Sequence, residues 1–367
     1  MPLIHSLKVS IKNKQLKLWS LNLGLYCFIA AVFGTFLVRS NLIISVHSFA
    51  TDPLRGLFLI IIIAYLFLVT ARLNLKSFTY FNEDSFTLLS KESFLLLNNI
   101  FFICAALTVF IGTIYPLFSE MIIKQSVSVG APYYNLTFNI LLAPIILFMA
   151  FAPQIEWGSH KRKNNNSIYI LIIAFIAAFF VYVFLNNFFF AFAIFITTPL
   201  IIKSFINLII NFNLTFKFIS QWLGHLSIGI FIISAVFTEQ FDSEQNLFFK
   251  KDNVDEVLLK NQSLAIIKNI QDQSFQNYQK ISVHLSIIEN GNEYSLSPSK
   301  HIYQPSGQVT NEVSLVNKLL DQYYATISSV ESDQVSINLV YKPLINLLWL
   351  SAILLIFSIF LSIVKRR

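Results

Sequence analysis

The chain has 367 residues, of which 55% are hydrophobic and 12% charged, with 38 phenylalanines and a formal net charge of +7. Soluble domains carry about 25% charged residues. Half that share, with several apolar runs of about 20 residues, excludes a soluble globular protein and gives a polytopic α-helical membrane protein. The positive excess does not point to nucleic acid, because it follows the placement of Lys and Arg around membrane spans.

Residues 1–17 are amphipathic and basic, with His5 at the apolar start and Lys8, Lys12, Lys14 and Lys17 after it. This pattern is not that of a cleavable signal peptide and belongs on the cytoplasmic side. The apolar runs predict eight spans, at 18–38, 54–71, 94–118, 138–152, 168–185, 188–209, 222–237 and 343–364. The SVSVGAPYYN stretch before the fourth reads as an outer loop, turned at Gly130 and Pro132. Residues 238–342 change character, with charges, Gln, Asn and Ser becoming common. There, 281–288 and 334–341 alternate as strands do, and Asn290 with Gly291 offers a tight hairpin turn, so a small β-rich domain is expected before the last span. The domains expected are thus a membrane bundle over 1–237, a β-rich domain over 238–342, and a last helix with a basic tail over 343–367. Fifteen Lys and Arg fall on segments assigned to the cytoplasmic side, against Arg39, Arg55 and Lys124 on short outer ones. Both termini are therefore expected inside and the β-rich domain outside.

The stretch 34–56, GTFLVRSNLIISVHSFATDPLRG, concentrates Arg39, His47, Asp52 and Arg55 on one short outer loop. Neutral imidazole is a common iron ligand. Guanidinium groups pair with carboxylates through two parallel charge-assisted hydrogen bonds, which suits the two propionates of a haem. Asp52 can orient His47 through its second ring nitrogen. A plain polar loop residue is the other reading of His47. His5 and His225 both fall near cytoplasmic ends of their segments, where two axial ligands of one haem would lie at one depth. The alternative is that each bonds a backbone carbonyl or faces headgroups. His160 sits in a solvated basic loop, and His284 and His301 belong to the β-rich domain without metal-type spacing. Cys27 and Cys104 lie inside spans as core thiols, and no C-x-x-C-H haem attachment motif occurs. No hydrolytic triad, nucleotide loop or carboxylate pair stands out.

The loop at 34–56, SKESFLLLNN at 90–99, GTIYPL followed by SVSVGAPYYN, and GHLSIGI at 224–230 resemble the C-terminal half of the CcmF family, membrane haem lyase subunits of cytochrome c maturation. Residues 238–342, with SKHIYQP before the last span and VYKPLINLLWL entering it, are similar in order and layout. The resemblance implies that His47 is an external ligand of delivered haem. It implies that His5 and His225 ligate a resident b-type haem in the bundle. The family's partner to His47 and its W-W-D loop lie upstream of the region matched, and Trp19, Trp157, Trp222 and Trp349 are scattered. A split or remnant half is therefore expected, working with an N-terminal-half CcmF-type protein, a haem chaperone, and an apocytochrome c with its thiol-handling partner. The location implied is a bacterial or mitochondrial inner membrane. On the residues alone, a transporter or channel and a structural assembly protein without haem remain the other classes.

Overall fold

The structure, a computed structural model, describes residues 2–40, 53–80, 90–125, 127, 129–155, 157, 167–210, 215–250, 256–259, 263–304, 307–331 and 334–364. Its helices are α1 (Pro2–Asn13), α2 (Lys17–Arg39), α3 (Pro53–Tyr80), α4 (Lys91–Phe118), α5 (Ala131–Phe151), α6 (Ser167–Leu185), α7 (Phe188–Ile210), α8 (Phe216–Phe241) and α9 (Ile345–Val364). Among the described residues, eight helices are long and apolar enough to cross a membrane. The exception is α1, whose 12 residues make about 18 Å of helix, short of the roughly 30 Å hydrocarbon layer.

Four spans differ by several residues from the sequence reading, and the second does so by continuing past 71 to Tyr80. The fourth span begins at Ala131, not near 138, and Pro132 lies in its first turn. Proline's fixed φ suits a helix start, so GAPYYN opens a helix instead of turning a loop. The resulting α4–α5 contact is close: a Cβ at Gly112 would meet the Tyr134 hydroxyl at 2.6 Å. The third span continues past Pro116 into a π-helical turn, Ser119–Ile123. The seventh begins at Phe216 and runs to Phe241, because Lys217 and Gln221 open the helix without adding to its apolar run.

The chain forms two compact units, Met1–Ile170 and Leu171–Arg367. In the first, α1 packs on α2 and α4, α2 on α3, and α4 on α5. In the second, α8 lies between α7 and α9. Large apolar side chains such as Phe184, Ile353 and Ile356 remain exposed on the helices, as expected where the surroundings are lipid and the backbone is satisfied within each helix.

Between α8 and α9 the second unit holds a β-sandwich. Its strands are β1 (Ser243–Lys250), β2 (Glu256–Leu258), β3 (Leu264–Ser274), β4 (Tyr278–Glu289), β5 (Asn292–Leu296), β6 (Ser299–Tyr303), β7 (Val309–Glu312), β8 (Ser314–Asn317), β9 (Gln322–Val330) and β10 (Gln334–Lys342). One sheet has the order β1-β10-β9-β8, and the other β2-β3-β4-β6-β7 with β5 also on β4. All described pairs are antiparallel. Alternate residues of both sheets meet in one core, with Phe249, Tyr323, Ile327 and Ile337 from the first and Val283, Leu285 and Ile287 from the second. The expected hairpin joins β4 to β5: Asn290 at φ 50° and Gly291 at φ 81° give the two left-handed residues of a type I′ turn.

The sandwich is tied to the start of α9 by a polar joint. Tyr341 donates its hydroxyl to Asp321 Oδ2 at 2.8 Å, and the Leu344 amide donates to Asp321 Oδ1 at 3.0 Å. Asn346 Nδ2 donates to the Lys318 carbonyl at 2.8 Å, and Thr238 on α8 donates to the Pro343 carbonyl at 2.6 Å. Lys318 Nζ sits 2.7 Å from Glu289 Oε2 and 5.5 to 5.7 Å from the rings of Tyr294, Tyr323 and Tyr341. Burial, then Asp321, pushes the Tyr341 phenol above its ordinary value. Burial pulls the Lys318 ammonium down, but the Glu289 hydrogen bond and the surrounding charge outweigh it and raise it. Both groups thus add stability that is complete below the ordinary values near pH 10 and is lost as pH rises further. Asp321→Ala should destabilise the sandwich by about 2 kcal/mol and Tyr341→Phe by about 1 kcal/mol, read as near-UV circular dichroism melts in detergent. The gap between wild type and Tyr341→Phe should shrink on raising the pH past about 10.5.

Candidate functional site

His47 and Asp52 lie outside the described residues, so the expected outer loop is represented by its two ends. Arg39 is exposed in the last turn of α2, and Arg55 falls in the first turn of α3. A Cβ at Gly56 would meet Ser40 at 3.5 Å. The two arginine positions therefore stand at one end of the α2–α3 pair, where the sequence reading puts them. That pair is locked further along by Asn22 and Asn74, whose carboxamides donate to each other at 2.7 and 2.8 Å.

His5 is carried by α1. The short helix is set off from α2 by left-handed backbone at Lys14 (φ 61°) and Leu16 (φ 56°). Its Nδ1 is buried and makes no hydrogen bond. Burial first, and nearby positive charge including Lys8, holds the imidazole down at about 4. His5 is therefore neutral at physiological pH, the form that binds a metal. A neutral ring meets one requirement of an axial haem ligand, whereas the unpartnered nitrogen is the enclosed Nδ1, which in a ligating imidazole would bond a neighbouring group.

His225 is the tenth residue of α8, roughly 13 Å from the helix start and in its third turn. The span expected at 222–237 would put it in the first turn, and the earlier start at Phe216 accounts for the difference. The half-buried imidazole is flanked by two close helix approaches. On one side a Cβ at Gly224 would meet Ser358 Oγ of α9 at 2.8 Å, and on the other a Cβ at Gly229 would meet Ile201 of α7 at 2.9 Å. Ser220 donates to the Ser358 carbonyl and Ser358 to the Ser220 carbonyl, each at 2.8 Å. These paired contacts fix how α8 is rotated, and so where His225 points.

Two of the remaining histidines lie in the β-sandwich. His284 Nδ1 shares a hydrogen bond with Ser297 at 3.0 Å, and His301 lies 4.9 Å from the Tyr278 ring. His160 is outside the described residues. Cys27 and Cys104 are both free, but Cys27 is exposed on α2 and so is not the core thiol expected, while Cys104 is half-buried on α4. Among the described residues, no group of three or more His, Cys, Asp and Glu is placed to hold a metal ion, whereas an axial haem ligand needs only a single imidazole. Sequence reasoning missed the seam residues Asn22, Asn74, Ser220 and Ser358. Asn22 and Ser358 are polar residues inside apolar runs, whereas Asn74 and Ser220 fall just outside the runs at 54–71 and 222–237.

Comparison with known proteins gives consistent relatives. The chain is 27% identical over 372 residues to the cytochrome c-type biogenesis protein CcmF of Escherichia coli (strain K12), covering 96% of this chain and 56% of that protein. It is 29% identical over 389 residues to the cytochrome c-type biogenesis protein CycK of Bradyrhizobium diazoefficiens, covering 100% of this chain and 58% of CycK. Over 160 residues, 42% of this chain and 24% of the relative, identity reaches 34% with the cytochrome c-type biogenesis protein ccl1 of Rhodobacter capsulatus. The solved cytochrome c haem lyase CcmF has the same fold, with a TM-score of 0.76 at 16% identity, over 99% of this chain and 57% of that one. The chain thus spans somewhat over half the length of the curated relatives it matches along its whole length. No protein-family model matches it.

A methyl group at Gly224 forces Ser358 to rotate away from the Ser220 carbonyl. Gly224→Ala should therefore cost about 1 kcal/mol, seen as a fall of a few degrees in the melting temperature of the helical signal in detergent. Adding Ser358→Ala frees the space and should recover part of the loss.

Proposed function

The chain belongs to the CcmF family of cytochrome c-type biogenesis proteins, and from that premise we propose that it acts in cytochrome c biogenesis as a haem-holding subunit of a haem lyase. The observation that carries this reading is the match to such relatives along the whole chain, over spans and sandwich alike. The neutral imidazole of His5 supports it from the side of chemistry.

In this reading His47 ligates the haem to be attached, and Asp52 orients its ring. Arg39 and Arg55, at one end of the α2–α3 pair, hold the propionates. His5 and His225 serve as ligands of a resident b-type haem. When bound, haem supplies the redox iron and the vinyl groups to which the two thiols of a Cys-X-X-Cys-His segment add. The chain supplies ligation, position and exclusion of water, so no protein nucleophile or general acid is called for.

In this reading the sandwich, 238–342, lies between a bundle over 1–237 and a last helix over 343–367, on the outer side of an inner membrane with both termini inside, as the distribution of Lys and Arg supports. The partners are an N-terminal-half CcmF-type protein, a haem chaperone, and apocytochrome c with the protein that keeps its thiols reduced. A reduced-minus-oxidised spectrum of the chain purified with its partners tests the reading. A b-type signal present in wild type and lost in His225→Ala is expected, and a colourless wild type would refute it. His47→Ala should abolish holocytochrome c formation in cells that depend on this protein, while leaving the b-type signal in place.

A further inference from the structure

We propose that residues 90–99, the opening turns of α4, are the seat that fixes the depth and rotation of α1, with Asn99 as the positioning residue for His5. The second half of this statement rests on His5 being a haem ligand, and the first half does not.

The two helices run antiparallel in one register. Asn99 Nδ2 donates to Ser6 Oγ at 2.7 Å, and two turns away Asn13 donates to the Glu92 carboxylate. Seven residues separate Ser6 from Asn13, and seven separate Glu92 from Asn99, so both bonds lie on the same seam with Val9 between them. Ser6, Val9 and Asn99 are fully buried, and Glu92 is 2% exposed. The opposite stripe of α1, Ile4, Leu7 and Ile11, is exposed. The seat is itself anchored: Ser90 caps α4 by accepting from the Ser93 amide at 3.3 Å. Lys91 donates to the Pro153 carbonyl at 3.2 Å, and Lys91 and Lys12 lie 5.4 and 4.4 Å from the Trp157 ring.

A 12-residue helix is marginal alone. In lipid it gains little from apolar packing, because acyl chains are as apolar as leucine. Such a helix could roll or slide with its apolar stripe still covered. Rolling α1 breaks both seam bonds and takes from the buried Asn99 carboxamide its bond to Ser6, which is costly. Polar contacts at two points therefore determine one register where apolar contacts would allow several. Ser6 is the residue after His5, so the Asn99 bond sets the direction of the imidazole. Beside that bond lie two buried atoms without partners, His5 Nδ1 and Asn99 Oδ1.

The test uses the full chain in nanodiscs, in a Cys27→Ser, Cys104→Ser background. Ser6→Cys combined with Asn99→Cys should cross-link under mild oxidation, whereas Ile4→Cys with Asn99→Cys should not. Failure of the first pair, or equal yield from both, overturns the seat. With haem bound, Asn99→Leu should raise the high-spin fraction roughly threefold to tenfold, the range that loss of one such bond allows, and shift the midpoint potential. The exchange Ser6→Asn with Asn99→Ser, which rebuilds the bond, should restore both. An unchanged spin state and potential in Asn99→Leu overturns the positioning role. A wild type without haem removes that role together with the proposed function, and the cross-link still decides the seat.

Discussion

Lipid removes the selectivity of apolar contact, and the helices of this chain are held in place by pairs of polar side chains across their seams. Asn22 with Asn74 joins α2 to α3, Ser220 with Ser358 joins α8 to α9, and Ser6 with Asn99 joins α1 to α4. Each such bond is weak by itself, about 0.6 kcal/mol in a membrane. Its effect on register is larger, because every alternative register buries an unmet donor or acceptor. Glycine adds to this where backbones approach, at Gly112 and Gly224, by leaving room that any side chain would close.

The two described candidate ligands sit next to these seams. His5 precedes Ser6, and His225 follows Gly224. A residue beside a fixed contact inherits its rotation, so the packing sets the direction of both imidazoles. Ligation and position are what a protein contributes when the cofactor carries the chemistry. The same economy appears at the membrane edge, where Asp321 accepts from both Tyr341 and the Leu344 amide and so ties the sandwich to α9.

The spans were legible because apolar runs of about 20 residues have few other meanings. The Asn290–Gly291 hairpin was legible because two left-handed residues in sequence suit one turn type. The start of α5 was not, since Pro132 signals a turn and a helix start alike. The start of α8 was placed late because polar Lys217 and Gln221 open the helix without contributing to its hydropathy. The Tyr341–Asp321 joint and the Ser6–Asn99 seam pair residues 20 and 93 positions apart, and no local pattern announces such contacts. SKESFLLLNN could be read as a resemblance, but its role as a cap, an anchor and a seat came only from the packing of α1 on α4.

The central claim, that histidines of this bundle ligate haem iron, is tested most directly by near-infrared magnetic circular dichroism of the ferric protein, wild type against His225→Met. The account predicts a bis-imidazole charge-transfer band in wild type that gives way to the band of methionine–histidine ligation in the variant. Identical spectra from the two proteins would contradict it.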